Sequence, residues 1–144
     1  MPWKTHVLVL ANLTAASDAL LEAMTARSER GPVRFTIVVP AVGTKADARR
    51  AAEARLQEAV AGARAAGLET EGVLGDCDPL VAVTEAFDPR SHDEIMVSTL
   101  PTGVSHWMRA DLPQRIGRVT GAPVAHVVAP DSRAVLRRPT RAAS

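Results

Sequence analysis

This sequence predicts an α/β fold, a parallel five-stranded sheet covered by helices on both faces, on three observations. Strand-like aliphatic runs alternate with helical stretches in the order β-α-β-α-β-α-β-α-β. The clearest runs, 6–11 and 95–97, are nearly all β-branched or aliphatic, as strands buried on both faces should be. The links are short and marked by Gly or Pro, which favours consecutive βα units packed as layers.

Each element has a local reason. The first strand is 6–11, after which Asn12, Leu13 and Thr14 turn the chain into a helix expected from about Ala15 to Arg27. Leu20, Leu21 and Met24 form its apolar stripe at helical spacing. Gly31 and Pro32 break this helix, and the second strand, 33–39, stops at Pro40. Thr44 reads as the cap of the second helix, with Asp47 three residues on in a capping-box arrangement. Leu56, Val60 and Ala63 share one face of that helix, and Gly67 is placed to end it in the left-handed conformation.

The third strand, 68–74, alternates Glu69 and Glu71 with Thr70 and Gly72, the pattern of an exposed edge. Asp78 fits an N-cap and Pro79 the first helical position, where a missing N–H costs nothing. That helix is expected to run to about Phe87. The fourth strand, a hydroxyl-rich loop and a helix from Leu112 to about Thr120 follow; Gly121 stops the helix before the last strand, Val124–Val128. No periodic apolar pattern continues after Pro130. Residues 1–130 are therefore expected as the domain and 131–144 as a basic, flexible tail.

The 144 residues suit one globular domain, with 47% hydrophobic and 23% charged residues. No apolar run approaches the ~20 residues needed to span a bilayer. The early run 7–11 is too short for a signal peptide. A cytoplasmic protein without a membrane partner is the expectation. The lone Cys77 excludes an internal disulfide and a zinc site built on several thiolates. Four scattered histidines show no metal-ligand spacing. A net charge of +1 and 3% aromatic residues argue against a nucleic-acid partner.

A doubly wound sheet takes ligands at the carboxyl ends of its strands, where strand order reverses. The loops at 12–14, 40–44, 75–78 and 98–111 are therefore the candidates. Within the last of these, Ser98, Thr99, Thr102 and Ser105 can hydrogen-bond a ligand, and Arg109 can pair with an anion. The bland reading is that these hydroxyls satisfy the loop's own backbone. Trp107 and Met108 either pack this loop or cover a ligand.

Strand, hydroxyl-rich loop and helix start are the parts of a phosphate site. Yet Gly103 is the loop's only glycine, and Pro101 has no N–H to offer. Asp111-Leu112-Pro113-Gln114 reads as a capping box whose carboxylate takes the N–H groups a phosphate would use. At ~4 Å and an effective dielectric of about 20, that like-charge contact costs about 4 kcal/mol, roughly a thousandfold in affinity.

Outside this face, His92, Asp93 and Glu94 precede a strand at its amino end and read as a solvated turn. His6 also lies at an amino end, and His126, within a strand, reads as a packed or interface residue. Asp76 and Asp78 flank Cys77, which counts against a thiolate nucleophile.

Taken in order, these segments resemble the universal stress protein family over residues 5–129. The first strand resembles the family's opening strand, where Asn12-Leu13-Thr14 stands in place of an Asp-Gly-Ser turn. Gly75-Asp76 with Pro79 resembles its Gly-Asp-Pro turn, with an insertion. Residues 95–128 resemble its closing strand, phosphate loop, helix and final strand, with Pro123-Val124 in register.

The resemblance implies a Rossmann-like, adenine nucleotide alpha hydrolase-like sheet of order 3-2-1-4-5. It also implies a homodimer through the last strand, Val124–Val128, and a stress-response role. ATP-binding members carry a loop of the form G-x2-G-x9-G followed by Ser or Thr. Laid on this chain, its glycines fall on Ser98, on Pro101, and on Ala110 or Asp111, so all are missing. Asn12 in place of an acid weakens the magnesium site that accompanies a triphosphate.

The expectation is a non-enzymatic regulatory domain that does not bind ATP in the usual way, needs no cofactor or metal and acts on an unidentified protein partner. The alternative is a nucleotide-binding member with a remodelled pocket and slow hydrolysis of ATP. ATP or another adenine nucleotide would then contact Asn12, Thr14, the Val39-Pro40 backbone, Ser98, Thr99, Thr102, Gly103, Ser105 and Arg109. A third reading is a small hydrolase using Cys77 or a histidine.

Overall fold

Strands and helices alternate along the chain in the computed structural model, which describes residues 4–41, 46–100 and 111–129. The strands are β1 (Thr5–Leu10), β2 (Val33–Pro40), β3 (Glu69–Gly75), β4 (Glu94–Thr99) and β5 (Val124–Val128). The helices are α1 (Asp18–Ser28), α2 (Ala46–Ala65), α3 (Pro79–Ala86) and α4 (Leu112–Thr120). All strand pairs are parallel, in the order β3-β2-β1-β4-β5. The expected fold class and strand order are both present.

The pleat divides the core into two layers. Val7 and Val9 of β1 face one side with Phe35, Ile37 and Val39 of β2, against Leu20 and Met24 of α1 and Ala52, Leu56, Ala59 and Ala63 of α2. Leu8 and Leu10 face the other side with Ile95 and Val97 of β4, against Ala82 and Val83 of α3 and Leu112 and Ile116 of α4. The central strand therefore buries both faces, which is why it reads as an unbroken aliphatic run.

Close packing sets the place of β3. A Cβ on Gly72 would lie 2.7 Å from Leu56 Cδ1 and 2.8 Å from Val60 Cγ2, so α2 rests on the edge strand where a side chain is missing. The expected helix stops hold, with Gly67 at φ +86° and Gly121 at φ +72°. Asp78 Oδ1 accepts from the backbone N–H groups of Leu80 and Val81, so the expected cap of α3 forms, with Pro79 opening the helix.

The start of α1 differs from expectation. The helix begins at Asp18, three residues later than Ala15, because the Ser17 hydroxyl caps it by accepting from the Leu20 N–H. Residues 12–17 instead form two successive turns, Ala15 N–H to Asn12 C=O at 3.1 Å and Ser17 N–H to Thr14 C=O at 3.0 Å. That tight excursion holds Asn12, Leu13 and Thr14 at the carboxyl end of β1. The cap expected at Thr44 lies outside the described residues, as does the tail 131–144.

Candidate functional site at the carboxyl edge of the sheet

Strand order reverses between β1 and β4, so the crevice of a doubly wound sheet opens beyond their carboxyl ends. Thr14 and Ser98 meet at that point, their hydroxyl oxygens 2.6 Å apart. Both are almost wholly buried, at 3% and 1% exposure. Each therefore satisfies the other and forms a floor for the crevice. The Thr99 hydroxyl is likewise buried and lies 2.7 Å from His126 Nε2 on the neighbouring strand β5. The partners of these three hydroxyls are side chains of the fold and not the loop's own backbone.

Asn12 lies above the floor and is half-buried. Its Oδ1 accepts a 2.6 Å hydrogen bond from Arg55 Nη1 of α2, a residue 43 positions away. Arginine only donates, so the atom it meets must be the amide oxygen, and the Asn12 NH2 remains as two donors. Helical side chains lean toward the helix N-terminus, here the carboxyl edge of the sheet. That direction explains how a residue well inside α2 reaches the end of β1. Sequence reading missed Arg55, which stands among several charged residues along α2.

On the other flank, Val39 and Pro40 end β2 in full burial, and the Ala41 N–H bonds the Gly75 carbonyl at 3.0 Å. Leu13, at 64% exposure, is the most exposed large apolar side chain among the described residues. Thr102, Gly103, Ser105 and Arg109 lie outside the described residues, as do Pro101, Trp107 and Met108.

The capping box at Asp111 is corrected. Asp111 does occupy the N-cap of α4, and its carbonyl accepts the first helical bond from the Arg115 N–H. Its backbone, however, is left-handed, at φ 49° and ψ 42°, and its side chain makes no capping bond. A capping side chain needs extended backbone to turn back onto the first turn. Among the described residues the N–H groups of Leu112 and Gln114 therefore meet no backbone or side-chain acceptor, and Pro113 has none to offer. The carboxylate does not occupy the helix start.

The amino edge is built differently, and His92, Asp93 and Glu94 form more than a solvated turn. Glu94 takes two bonds from Arg27, Nε to Oε1 at 2.9 Å and Nη2 to Oε2 at 2.7 Å, and this hydrogen bonding holds its carboxyl below the usual range. The Asp93 carboxylate accepts from the His6 N–H, and the Asp93 N–H bonds the His6 carbonyl. His92 Nδ1 accepts from the Asp88 N–H, and the His92 ring lies 4.2 Å from that of His6.

His6 Nε2 lies 2.7 Å from the Thr36 hydroxyl, which donates to Glu71 at 3.1 Å. The hydroxyl proton is thus committed to Glu71, so His6 donates from Nε2, and its buried Nδ1 has no partner among the described residues. Burial first, then the neighbouring His92 and Arg34, hold His6 below its ordinary value; burial does the same for His92.

No group of three or more potential ligands gathers for a metal among the described residues. Cys77 is exposed and unpaired as a disulfide. No helix among the described residues is long and apolar enough to cross a membrane.

Solved structures share this architecture. The universal stress protein from Archaeoglobus fulgidus, in complex with dAMP, superposes with a TM-score of 0.65 at 17% identity, covering 88% of this chain and 99% of that one. A universal stress protein in complex with cAMP superposes at 0.56 with 20% identity, covering 85% and 96%. No protein-family model and no curated protein sequence matches the chain. The chain thus has the universal stress protein fold.

Proposed function

We propose that this chain is a non-enzymatic, cytoplasmic regulatory domain of universal stress protein type whose carboxyl-edge crevice takes a mononucleotide in preference to ATP. The start of α4 carries this reading. Its Leu112 and Gln114 N–H groups are not capped by Asp111, and uncapped helix starts attract phosphate. A start free of the Asp111 carboxylate favours the remodelled-pocket alternative over a domain that takes no nucleotide.

The same helix start limits the charge it accepts. Pro113 removes one donor, and the Asp111 carboxylate stays nearby as a like charge. Asn12, bonded to Arg55, supplies no carboxylate for a magnesium triphosphate. Both fold neighbours were solved with nucleotides that carry one phosphate.

Titration calorimetry with AMP, cAMP and magnesium ATP tests the proposal. Saturable binding of a monophosphate, with ATP at least about tenfold weaker, is the expected result. Tighter binding of ATP than of AMP overturns it. The reading also makes β5 the dimer edge, supported by its outer position in the sheet and by Val128 at 50% exposure. A monomer in light scattering at micromolar concentration would remove that part.

A further inference from the structure

Two half-buried arginines on the same helical layer differ in what they hold. Arg27 is neutralised by a two-point pair with Glu94. Arg55 bonds the neutral amide of Asn12, and no carboxylate among the described residues pairs with it. A partly desolvated guanidinium with one donor used on a neutral oxygen keeps its charge and most of its N–H groups for another acceptor.

Asn12 reinforces this polarity. Its oxygen accepts from Arg55, and its NH2 adds two donors beside the guanidinium. An acid in place of Asn12 would close an internal ion pair and cancel the charge. Asp76 and Asp78, in the turn after β3, already accept backbone N–H bonds within that turn and at the start of α3.

We infer that Arg55 and Asn12 form the recognition element for a phosphoryl oxyanion in this crevice. The guanidinium supplies charge and paired donors, and the amide fixes its orientation and adds a donor of its own. The inference rests on the mononucleotide reading for the identity of the ligand, not for the presence of an anion. Arg55 thereby sets specificity: it favours a phosphorylated ligand over the corresponding nucleoside.

The test titrates the full chain with AMP, adenosine and inorganic phosphate, in wild type, R55Q, R55K and N12D. Wild type should bind AMP roughly ten- to hundredfold tighter than adenosine, the worth of a charge-assisted bond. R55Q should shrink that difference at least several-fold and leave adenosine unchanged, R55K should keep more of it than R55Q, and N12D should shrink it by pairing the guanidinium internally. AMP bound no tighter than adenosine, or R55Q binding AMP like wild type, overturns the inference.

If no adenine compound binds, the mononucleotide reading fails by itself and inorganic phosphate decides. A phosphate-dependent rise in melting temperature in wild type but not in R55Q then supports the site, and an equal rise in both overturns it. Should R55Q fail to melt cooperatively, N12D carries the same test, since its only intended change is charge.

Discussion

At the amino edge of the sheet Arg27 meets two carboxylate oxygens of Glu94, whereas at the carboxyl edge Arg55 meets one amide oxygen of Asn12. The contrast extends to the neighbouring groups. His6, Thr36 and Glu71 form a hydrogen-bonded line across three strands, and Asp93 ties β4 to β1. At the other edge, Asp111 makes no capping bond, and among the described residues two N–H groups at the α4 start meet no acceptor. One edge neutralises its arginine with a carboxylate. The other leaves its arginine on a neutral oxygen and the start of α4 without the Asp111 carboxylate, which leaves capacity to bind.

Substitutions can break this contrast, and the largest effect belongs at the amino edge. Glu94→Ala strands a half-buried guanidinium and should cost about 2 kcal/mol in urea unfolding, reduced from the fully buried case because Glu94 keeps 31% of its side-chain surface exposed. Ligand affinity should not change. A loss under 0.5 kcal/mol would make this edge no more committed than the other.

At the floor between β1 and β4, Thr14→Val leaves the buried Ser98 hydroxyl unpaired and should cost about 1–2 kcal/mol. A neutral result would mean Ser98 has another partner there, and the floor would not depend on the pair.

Acid should reveal the amino edge in two stages. His6 and His92 are held below their ordinary 6.5 when folded, so the unfolded chain takes up their protons first. Stability is then full above pH 6.5 and falls as pH drops from there through the folded values. Glu94, held below its ordinary 4.5, adds a second loss as pH falls from 4.5 through its folded value. Melting curves across this range should show both stages, and His6→Gln should shrink the first. An unchanged first stage would assign it to other groups.

The smallest effect is at Asp111. A capping carboxylate would make Asp111→Gly destabilising, but here no bond is lost and the left-handed backbone suits glycine, so the change should stay within about 0.5 kcal/mol. A loss near 1 kcal/mol would restore the capping box.

Local pattern identified most of the fold. Gly67, Asp78, Pro79 and Gly121 act on their own few neighbours, so their roles are legible without tertiary contacts. The α1 start was misplaced because Ala15 and Ala16 are good helix formers, while two consecutive turns and the Ser17 cap delayed the helix. The site was legible only in outline. Asn12, Thr14, Ser98 and Thr99 stand at the right strand ends, but Thr14 and Ser98 bond each other, Thr99 bonds His126 and Asn12 bonds Arg55. Arg55 left no trace in the sequence, since a helix surface carries many arginines and only the approach of α2 to β1 singles one out.

By itself, the sequence determined the alternation of elements and the burial of the central strand on both faces. These follow from periodicity and turn chemistry, which act over a few residues. Tertiary structure alone decided which polar groups cancel and which remain. Arg27 found Glu94 67 positions away and Arg55 found Asn12 43 positions away. Charge compensation depends on distance in space, and chain order does not record it.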